Sequence, residues 1–256
     1  MSDSQKRSPS KKTVWGTVWS ILTVIIIVVG GIALYMGTKG RLQPSSTRPS
    51  STAPNATKPT STTTGQTSTV APMTAEETKL ANSLGIDPLP PGRTAPNFTL
   101  TNEDGKTVSL ASLRGKVIVL QFMDPKCTDI CPIVSQELVL ADQELGVKAS
   151  QVAFVGVNVN QYQEKPSELL AFSNQHGLGK LPNWYFLTGS TAALQQVWKN
   201  YGILVQPNPT GDVVHSSYYY FIDKNGMEQY LAPATNDKST ITEWAKGIAV
   251  FSQKLM

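Results

Sequence analysis

The strongest fold signal in the chain is Lys116-Val117-Ile118-Val119-Leu120-Gln121-Phe122, a continuous apolar run of strand length. Such a run is expected of a strand that other elements cover on both faces. Directly after it come Asp124-Pro125-Lys126-Cys127-Thr128-Asp129-Ile130-Cys131-Pro132, and the residues from Pro132 to Leu145 have a helical pattern. A buried strand that passes through a short loop into a helix indicates an α/β fold.

Strands and helices continue to alternate on both sides of this unit. Thr74-Ala75-Glu76-Glu77 is a capping box that opens a short helix, and Gly85 can close it. Asp104-Gly105 is a hairpin-type turn signal between two short strands. The later elements are predicted as strands at 152–159, 184–187, 216–222 and 227–231 and as helices at 167–175, 191–201 and 239–255.

The order of these elements limits the topology of the sheet. A strand–helix–strand order requires a parallel strand pair with a right-handed crossover, and the last two strands add an antiparallel edge. Residues 74–256 are therefore predicted to form an α/β sandwich of thioredoxin type with a mixed central sheet. No internal repeat or second domain boundary is visible in this part of the chain.

Residues 14–36 are predicted to form a transmembrane anchor. They read VWGTVWSILTVIIIVVGGIALYM, 23 residues without a charge, and a helix of this length reaches roughly 35 Å across a hydrocarbon core of ~30 Å. A cleaved signal peptide is the alternative, but its apolar region runs only about 7–15 residues before a small-residue cleavage site. The basic tail of residues 1–13 is predicted to lie in the cytoplasm and the domain outside, at a plasma membrane of bacterial type.

Residues 37–73 are predicted to be a disordered linker between this anchor and the domain. From Gln43 to Met73 the chain is nearly all Ser, Thr and Pro. Such a composition cannot bury a core and stays solvated.

Charge and composition exclude several classes of function. The net charge of +4 divides into +5 up to Pro90 and −1 from Pro91 onward, so the domain lacks the basic face that a nucleic-acid-binding domain needs. Two cysteines are too few for a disulfide scaffold, and two histidines are too few for a multi-histidine metal centre.

The two cysteines, Cys127 and Cys131, are the main candidates for chemistry. Pro132 fits the first position of the predicted helix, which places Cys131 at its N-cap and Cys127 in the loop before it. Amide groups at a helix N-terminus stabilise a thiolate, the form of cysteine that is nucleophilic and binds metal. A structural disulfide that closes so small a loop would stabilise the fold little. The C-x3-C spacing leaves both a redox pair and a metal-binding pair open.

His215 favours the metal-binding interpretation. It is predicted to open the strand 216–222, which in a thioredoxin-like sheet neighbours the central strand, so that its end can approach the cysteine loop. Two thiolates and an imidazole suit a soft metal, Cu(I) above all, whereas a closed zinc site needs a fourth ligand. A blue-copper site in its usual form is excluded because it needs two histidines, one cysteine and a weak axial ligand, whereas this set has two cysteines and one histidine. His176 lies at a predicted helix end and is given no role.

The chain resembles the Sco (SenC) family of membrane-anchored, thioredoxin-like copper chaperones in three segments: APNFTLTNEDGKTVSLASLRGKVIVLQF, CTDICP and VVHSSYYYFIDKNG. The resemblance covers about Pro91 to Ala232, and its specific part is C-x3-C-P together with the later histidine. It implies that Cys127, Cys131 and His215 bind copper and that the cysteines form a redox-active disulfide pair. It also implies a client, the binuclear copper site of cytochrome c oxidase subunit II, to which the family delivers copper or whose cysteines it reduces.

Three segments depart from the family pattern; none removes a ligand, but they leave open a divergent client or a mainly redox role. Thr128 stands where the family usually has Pro, Asn158-Val159-Asn160 where it usually has Asp-Pro, and Asp124-Pro125-Lys126 is an uncommon lead-in to the cysteines. The alternatives are a membrane-anchored thiol–disulfide oxidoreductase, a peroxiredoxin-like peroxidase and a purely structural domain. The usual oxidoreductase motif is C-x-x-C, one residue shorter, and the cysteine loop lacks the arginine that activates a peroxidase.

Overall fold

A computed structural model describes residues 70–210 and 213–256 of the chain. Its helices are α1 (Ala75–Leu84), α2 (Ile130–Leu145), α3 (Pro166–Gln175), α4 (Thr191–Asn200) and α5 (Ile241–Lys254). Its strands are β1 (Asp87–Pro88), β2 (Thr99–Asn102), β3 (Thr107–Ser109), β4 (Val117–Met123), β5 (Val152–Asn158), β6 (Trp184–Thr188), β7 (Val205–Gln206), β8 (Val214–His215), β9 (Tyr218–Ile222) and β10 (Glu228–Pro233). Short 3-10 turns lie at Leu110–Leu113, Gly146–Gln151, Leu178–Lys180 and Lys238–Thr240.

Within the described residues, eight strands form one mixed sheet in the order β1-β10-β9-β4-β5-β6-β2-β3. The pairs β4–β5 and β5–β6 are parallel, as the strand–helix–strand order predicts. The pair β9–β10 is antiparallel, and so is the hairpin β2–β3 that lies at the opposite edge. The remaining two strands, β7 and β8, pair antiparallel with each other in a separate small sheet.

The central strand β4 is buried along its whole length, which agrees with the prediction from its apolar run. Val117 and Val119 pack toward a core that α1, α2, α3 and α5 cover, and Ile118 and Leu120 pack toward a second core on the α4 side. Full burial of an aliphatic side chain stabilises a fold by about 1.5–3 kcal/mol. Successive side chains of a strand point to opposite faces, so one sequence run contributes to both cores.

The signals read from the sequence for the first helix and the first hairpin are confirmed. The Thr74 side chain accepts from the Glu77 backbone N–H at 3.2 Å, and the Glu77 carboxylate accepts from the Thr74 N–H at 2.7 Å, which is the capping box of α1. Gly85 ends this helix with a φ of 67°, a left-handed conformation that glycine adopts without a steric cost. Gly105 turns the β2–β3 hairpin with a φ of 79°.

The predicted start of the cysteine helix is wrong by two residues. Helix α2 begins at Ile130 with Asp129 as its N-cap, so that Cys131 lies in the first turn and not at the cap. Pro132 is the third helical residue and not the first. The earlier start is possible because the first four N–H groups of a helix have no intrahelical acceptor, and a proline among them loses no hydrogen bond.

The predicted position of His215 at the start of the sheet strand is also wrong. His215 lies in β8, which pairs with β7, and the sheet strand β9 begins only at Tyr218. The Ser216 N–H donates to the Leu204 carbonyl at 3.0 Å, so the chain here hydrogen-bonds to the segment before β7 instead of to β4.

The predicted anchor at 14–36, the tail before it and residues 37–69 of the predicted linker lie outside the described residues. Among the helices of residues 70–210 and 213–256, none has the length and apolar character needed to cross a membrane. Val70 and Met73, at the end of the predicted linker, pack against the core on the α5 side.

Candidate metal centre

The structure brings the two cysteines together at the carboxyl end of β4. Cys127 lies in the loop and is half-buried, whereas Cys131, in the first turn of α2, is 2% exposed. The backbone N–H of Cys131 donates to the Cys127 sulfur at 3.3 Å, and both cysteines are free thiols. The carboxyl ends of parallel strands are where α/β sheets hold ligands, so the pair occupies the expected edge of the sheet.

The two thiols differ in acidity. The pKa of Cys127 is lowered to about 7, first by a hydrogen bond from the Cys131 thiol and then by the backbone N–H groups of Cys131, Asp129 and Ile130, while burial acts in the opposite direction. The pKa of Cys131 is raised well above its usual value by that same hydrogen bond to Cys127 and by burial. Cys127 is therefore the more nucleophilic of the two thiols near neutral pH, and Cys131 keeps its proton.

The imidazole of His215 is half-buried and has a fixed orientation. Its Nδ1 donates to the Ser216 carbonyl at 2.9 Å, since a carbonyl oxygen can only accept, and this leaves Nε2 with a free lone pair. Burial lowers the pKa of His215, although the Ser216 carbonyl and the Asp124 charge oppose that effect. A histidine that binds a metal commonly donates its other ring N–H to a backbone carbonyl in this way.

Asp124 connects the histidine segment with the cysteine loop, a role that the sequence did not reveal. Its carboxylate is fully buried and accepts from the backbone N–H of Val213 at 3.0 Å, two residues before His215. Its carbonyl accepts from the Cys127 N–H at 3.1 Å. The sequence did contain one signal for this role, since Asp124 is a charged residue directly after a buried strand. A carboxylate in that place loses its hydration and needs a specific hydrogen-bond partner.

A second buried carboxyl lies on the cysteine helix itself. Glu137 of α2 is fully buried, and its side chain accepts a hydrogen bond from the Tyr219 hydroxyl. Its other carboxyl oxygen has no partner among the described groups. Burial raises the pKa of Glu137 to about 8, which the hydrogen bond from Tyr219 opposes. Its place on the apolar face of the helix gave no sequence signal for a titrating group.

The chemistry of the donor set fits copper. Two sulfur donors and one imidazole nitrogen suit Cu(I). Because Nδ1 of His215 is hydrogen-bonded to the Ser216 carbonyl, Nε2 is the ring nitrogen that can bind a metal. Their geometry is less complete, because no three His, Cys, Asp or Glu side chains in residues 70–210 and 213–256 stand where they could hold a metal ion. The structure joins Cys127 and Cys131 directly, and Asp124 links the segment that carries His215 to the cysteine loop.

Comparison with known proteins assigns the chain to a family. The model of the SCO1/SenC family matches residues 87–249, which include both cysteines and His215. The chain belongs to the SCO1/SenC family. The SCO1 protein homolog of Bacillus subtilis (strain 168) is 31% identical over 132 residues, which cover 50% of this chain and 68% of that protein.

Solved structures of SCO1/SenC proteins share the fold. A SCO1/SenC family lipoprotein from Bacillus anthracis str. Ames superposes with a TM-score of 0.56 at 27% identity, over 66% of this chain and 97% of that chain. ScoI of Bradyrhizobium japonicum with copper bound superposes with a TM-score of 0.51 at 23% identity, over 62% of this chain and 99% of that chain. The predicted thioredoxin-like fold with a mixed central sheet is confirmed.

Proposed function

We propose that this SCO1/SenC-family protein binds copper through Cys127, Cys131 and His215 and hands it on during the assembly of cytochrome c oxidase. The observation that carries the proposal is the cysteine pair at the start of α2, in which Cys127 has a pKa of about 7. The copper bound to the similarly folded ScoI of Bradyrhizobium japonicum supports the same metal here.

Each proposed ligand has a distinct part. Cys127 binds first, because it is already a thiolate near neutral pH and is more exposed than Cys131. Cys131 must lose its proton before its sulfur can bind, so copper uptake releases a proton from this buried thiol. His215 contributes Nε2, and it completes the ligand set when β8 approaches the cysteine loop.

The proposed client is the binuclear copper site of cytochrome c oxidase subunit II.

Copper delivery and disulfide formation exclude each other in this domain, because a sulfur in a disulfide is not a thiolate ligand. The Cys127–Cys131 disulfide is therefore expected to lack high-affinity copper binding.

A second candidate function is a thiol–disulfide oxidoreductase, which the unequal acidity of the two thiols favours. The Cys127 thiolate would attack a disulfide of a client protein, and Cys131 would then displace the client's sulfur. The client disulfide gains two electrons and leaves as two thiols, while Cys127 and Cys131 become a disulfide. This exchange does not use His215.

Copper titration of the reduced full chain tests the first proposal against the second. Cu(I) binding should be lost with Cys127→Ser or Cys131→Ser, and His215→Ala should weaken Cu(II) binding more than Cu(I) binding, because Cu(II) prefers nitrogen ligands. His176→Ala is the matched control and should bind like the unaltered chain. If His215→Ala binds both copper ions normally and supports oxidase assembly in cells while Cys127→Ser does not, the oxidoreductase function is favoured.

We further propose that residues 14–36 anchor the protein in a bacterial plasma membrane and that residues 37–73 form a linker to the domain at 74–256. The apolar run and the basic tail before it support this topology. A protease added to intact cells whose outer membrane or cell wall has been removed should digest the domain at 74–256 and spare residues 1–13. A mature N-terminus within 37–73 would contradict an uncleaved anchor.

A further inference from the structure

Asp124 joins the two parts of the candidate site. We propose that Asp124 is a positioning residue that holds the His215 segment against the cysteine loop, so that His215 and the two cysteines can share one copper ion. This inference rests on the proposed copper function and assigns a residue that sets its geometry.

Asp124 has contacts on three sides. Its Oδ1 accepts from the Lys126 N–H at 2.8 Å and from the Asn160 side-chain amide at 2.9 Å, and its Oδ2 accepts from the Val213 N–H at 3.0 Å. The residue lies at the end of β4, Asn160 follows β5, and Val213 precedes β8. One carboxylate thus connects the loop after the central strand, the loop after its parallel neighbour and the segment that carries His215.

The bond to Val213 differs from the other Asp124 bonds because it reaches a segment far away along the chain. The bonds to the Lys126 and Cys127 N–H groups already close the turn after β4, and they involve neighbours in sequence. Val213 is 89 residues away along the chain, and its side chain is buried in the core on the α4 side. A buried charge is costly unless it is fully hydrogen-bonded, so Asp124 favours the arrangement in which Val213 stays against the loop.

Asn160 explains one departure from the family pattern. Its Nδ2 donates to Asp124, while its Oδ1 accepts from the Tyr162 N–H at 3.0 Å. The amide therefore cannot turn over without losing both bonds. An aspartate at this position would face the Asp124 carboxylate with a second negative charge, so the amide of Asn160 and the carboxylate of Asp124 form a matched pair.

This pairing allows an exchange experiment in the full chain. Asp124→Asn removes the charge and sets an amide N–H group against other donors, either the Val213 N–H or both the Lys126 N–H and the Asn160 amide. Asn160→Asp places two carboxylates together. The double variant exchanges donor and acceptor between the two positions. Its new amide can donate to its new carboxylate and still accept from the Val213 N–H, and that carboxylate can still accept from the Tyr162 N–H. The Lys126 N–H loses its acceptor in this orientation, so the double variant is compared with Asp124→Asn alone.

The first readout is metal-free and concerns the histidine ring signals in the NMR spectrum of the reduced protein. The chain has two histidines, so His176 is an internal reference. Asp124→Asn should shift the His215 signals and leave those of His176 in place, and the double variant should move the His215 signals back toward those of the unaltered chain. A role confined to loop stability would lower the unfolding temperature without a selective shift of His215.

The second readout is the nitrogen hyperfine coupling of bound Cu(II) and its affinity. Asp124→Asn should weaken Cu(II) binding by about 10–100-fold and reduce the histidine coupling, as is expected of His215→Ala, and the double variant should recover most of both. Unchanged coupling and affinity in Asp124→Asn, with histidine coupling present in the unaltered chain, would overturn this inference alone. Absence of histidine coupling in the unaltered chain would overturn the proposed ligand set and this inference with it.

A milder variant covers the case in which Asp124→Asn does not fold. Asn160→Ala keeps the carboxylate and removes one of its donors, so it should shift the His215 signals in the same direction by a smaller amount. If Asn160→Ala is folded and its His215 signals match those of the unaltered chain, the inference is wrong.

Discussion

The cysteine part and the histidine part of the candidate site are built in different ways. Cys127 lies in the loop after the fully buried strand β4, and Cys131 lies in the first turn of the 16-residue helix α2, whose inner face packs into the core. His215 lies in a two-residue strand that pairs with another two-residue strand. Val214 beside it is 64% exposed, and Leu204 at the start of this small sheet is 76% exposed.

Because of this difference, the properties of the cysteines and the position of His215 depend on different interactions. The acidity of the thiols depends on burial and on helix amides, which the main core holds in place. The position of His215 depends on a few hydrogen bonds, chiefly those at Ser216 and Val213. The cysteine part should therefore respond to changes in the core, and the histidine part to changes in individual polar contacts.

The largest expected effect is a loss of stability from a cavity beneath the cysteine helix. Leu138 of α2 is completely buried, and Leu138→Ala should lower the free energy of unfolding by about 2–5 kcal/mol. Urea unfolding of the reduced, metal-free chain measures this loss. Leu140→Ala on the same helix is the control, because Leu140 is only partly buried and should cost less. Equal losses in the two variants would mean that the cysteine helix does not depend on the core in this way.

The next effect is a difference in reactivity between the two thiols. Near pH 7 about half of Cys127 is thiolate, whereas the buried Cys131 is almost fully protonated, so Cys127 should be alkylated roughly a hundredfold faster. Short pulses of iodoacetamide followed by mass spectrometry give both rates, since the chain has only these two cysteines. The Cys127 rate should rise with pH through a midpoint near 7. Equal labelling of the two residues would show that the helix start does not distinguish them.

A third prediction concerns the pH dependence of stability and the buried Glu137. Its pKa is about 8 in the folded protein against an ordinary value of 4.5, so the folded state binds the proton more tightly. The protonated Glu137 therefore contributes fully to the free energy of unfolding below about pH 4.5. This contribution is lost as the pH rises toward about 8, by up to about 1.4 kcal/mol per pH unit. Glu137→Gln keeps an acceptor for Tyr219 and removes this slope.

Urea unfolding at several pH values between about 5 and 8 measures the slope. The stability of Glu137→Gln relative to the unaltered chain should increase as the pH rises. Glu144→Gln controls for the loss of a carboxyl group on the exposed side of the same helix. Parallel curves for Glu137→Gln and the unaltered chain would show that Glu137 is ionised in the folded state.

The smallest effect is expected on the histidine side. Val214→Thr keeps a β-branched side chain at an exposed position, so the free energy of unfolding should change by no more than about 0.5 kcal/mol. Urea unfolding of the reduced, metal-free chain measures this change. A loss of more than about 1 kcal/mol would mean that the β7–β8 pair is a part of the cooperative core, which would remove the contrast between the two parts.

The sequence predicted the central sheet well because its signals are local. The apolar run of β4, the Thr74 capping box and the Asp104-Gly105 turn each depend on neighbouring residues, and each is confirmed. The helix start at Ile130 was missed because a proline is tolerated anywhere in the first turn of a helix, so Pro132 could not fix the boundary. The separate strand of His215 was missed because its partner, β7, has only two residues and no pattern of its own.

What the sequence determined by itself was the alternation of strands and helices, the SCO1/SenC resemblance and the identity of the three candidate ligands. Apolar runs and the C-x3-C-P motif are properties of adjacent residues, whereas His215 enters the ligand set through the family resemblance. Only the tertiary structure decided that Cys127 is the acidic thiol, that Nδ1 of His215 is held by Ser216, and that Asp124 links the two parts. Those properties arise from burial and from contacts between residues as far as 89 positions apart, and no local pattern specifies them.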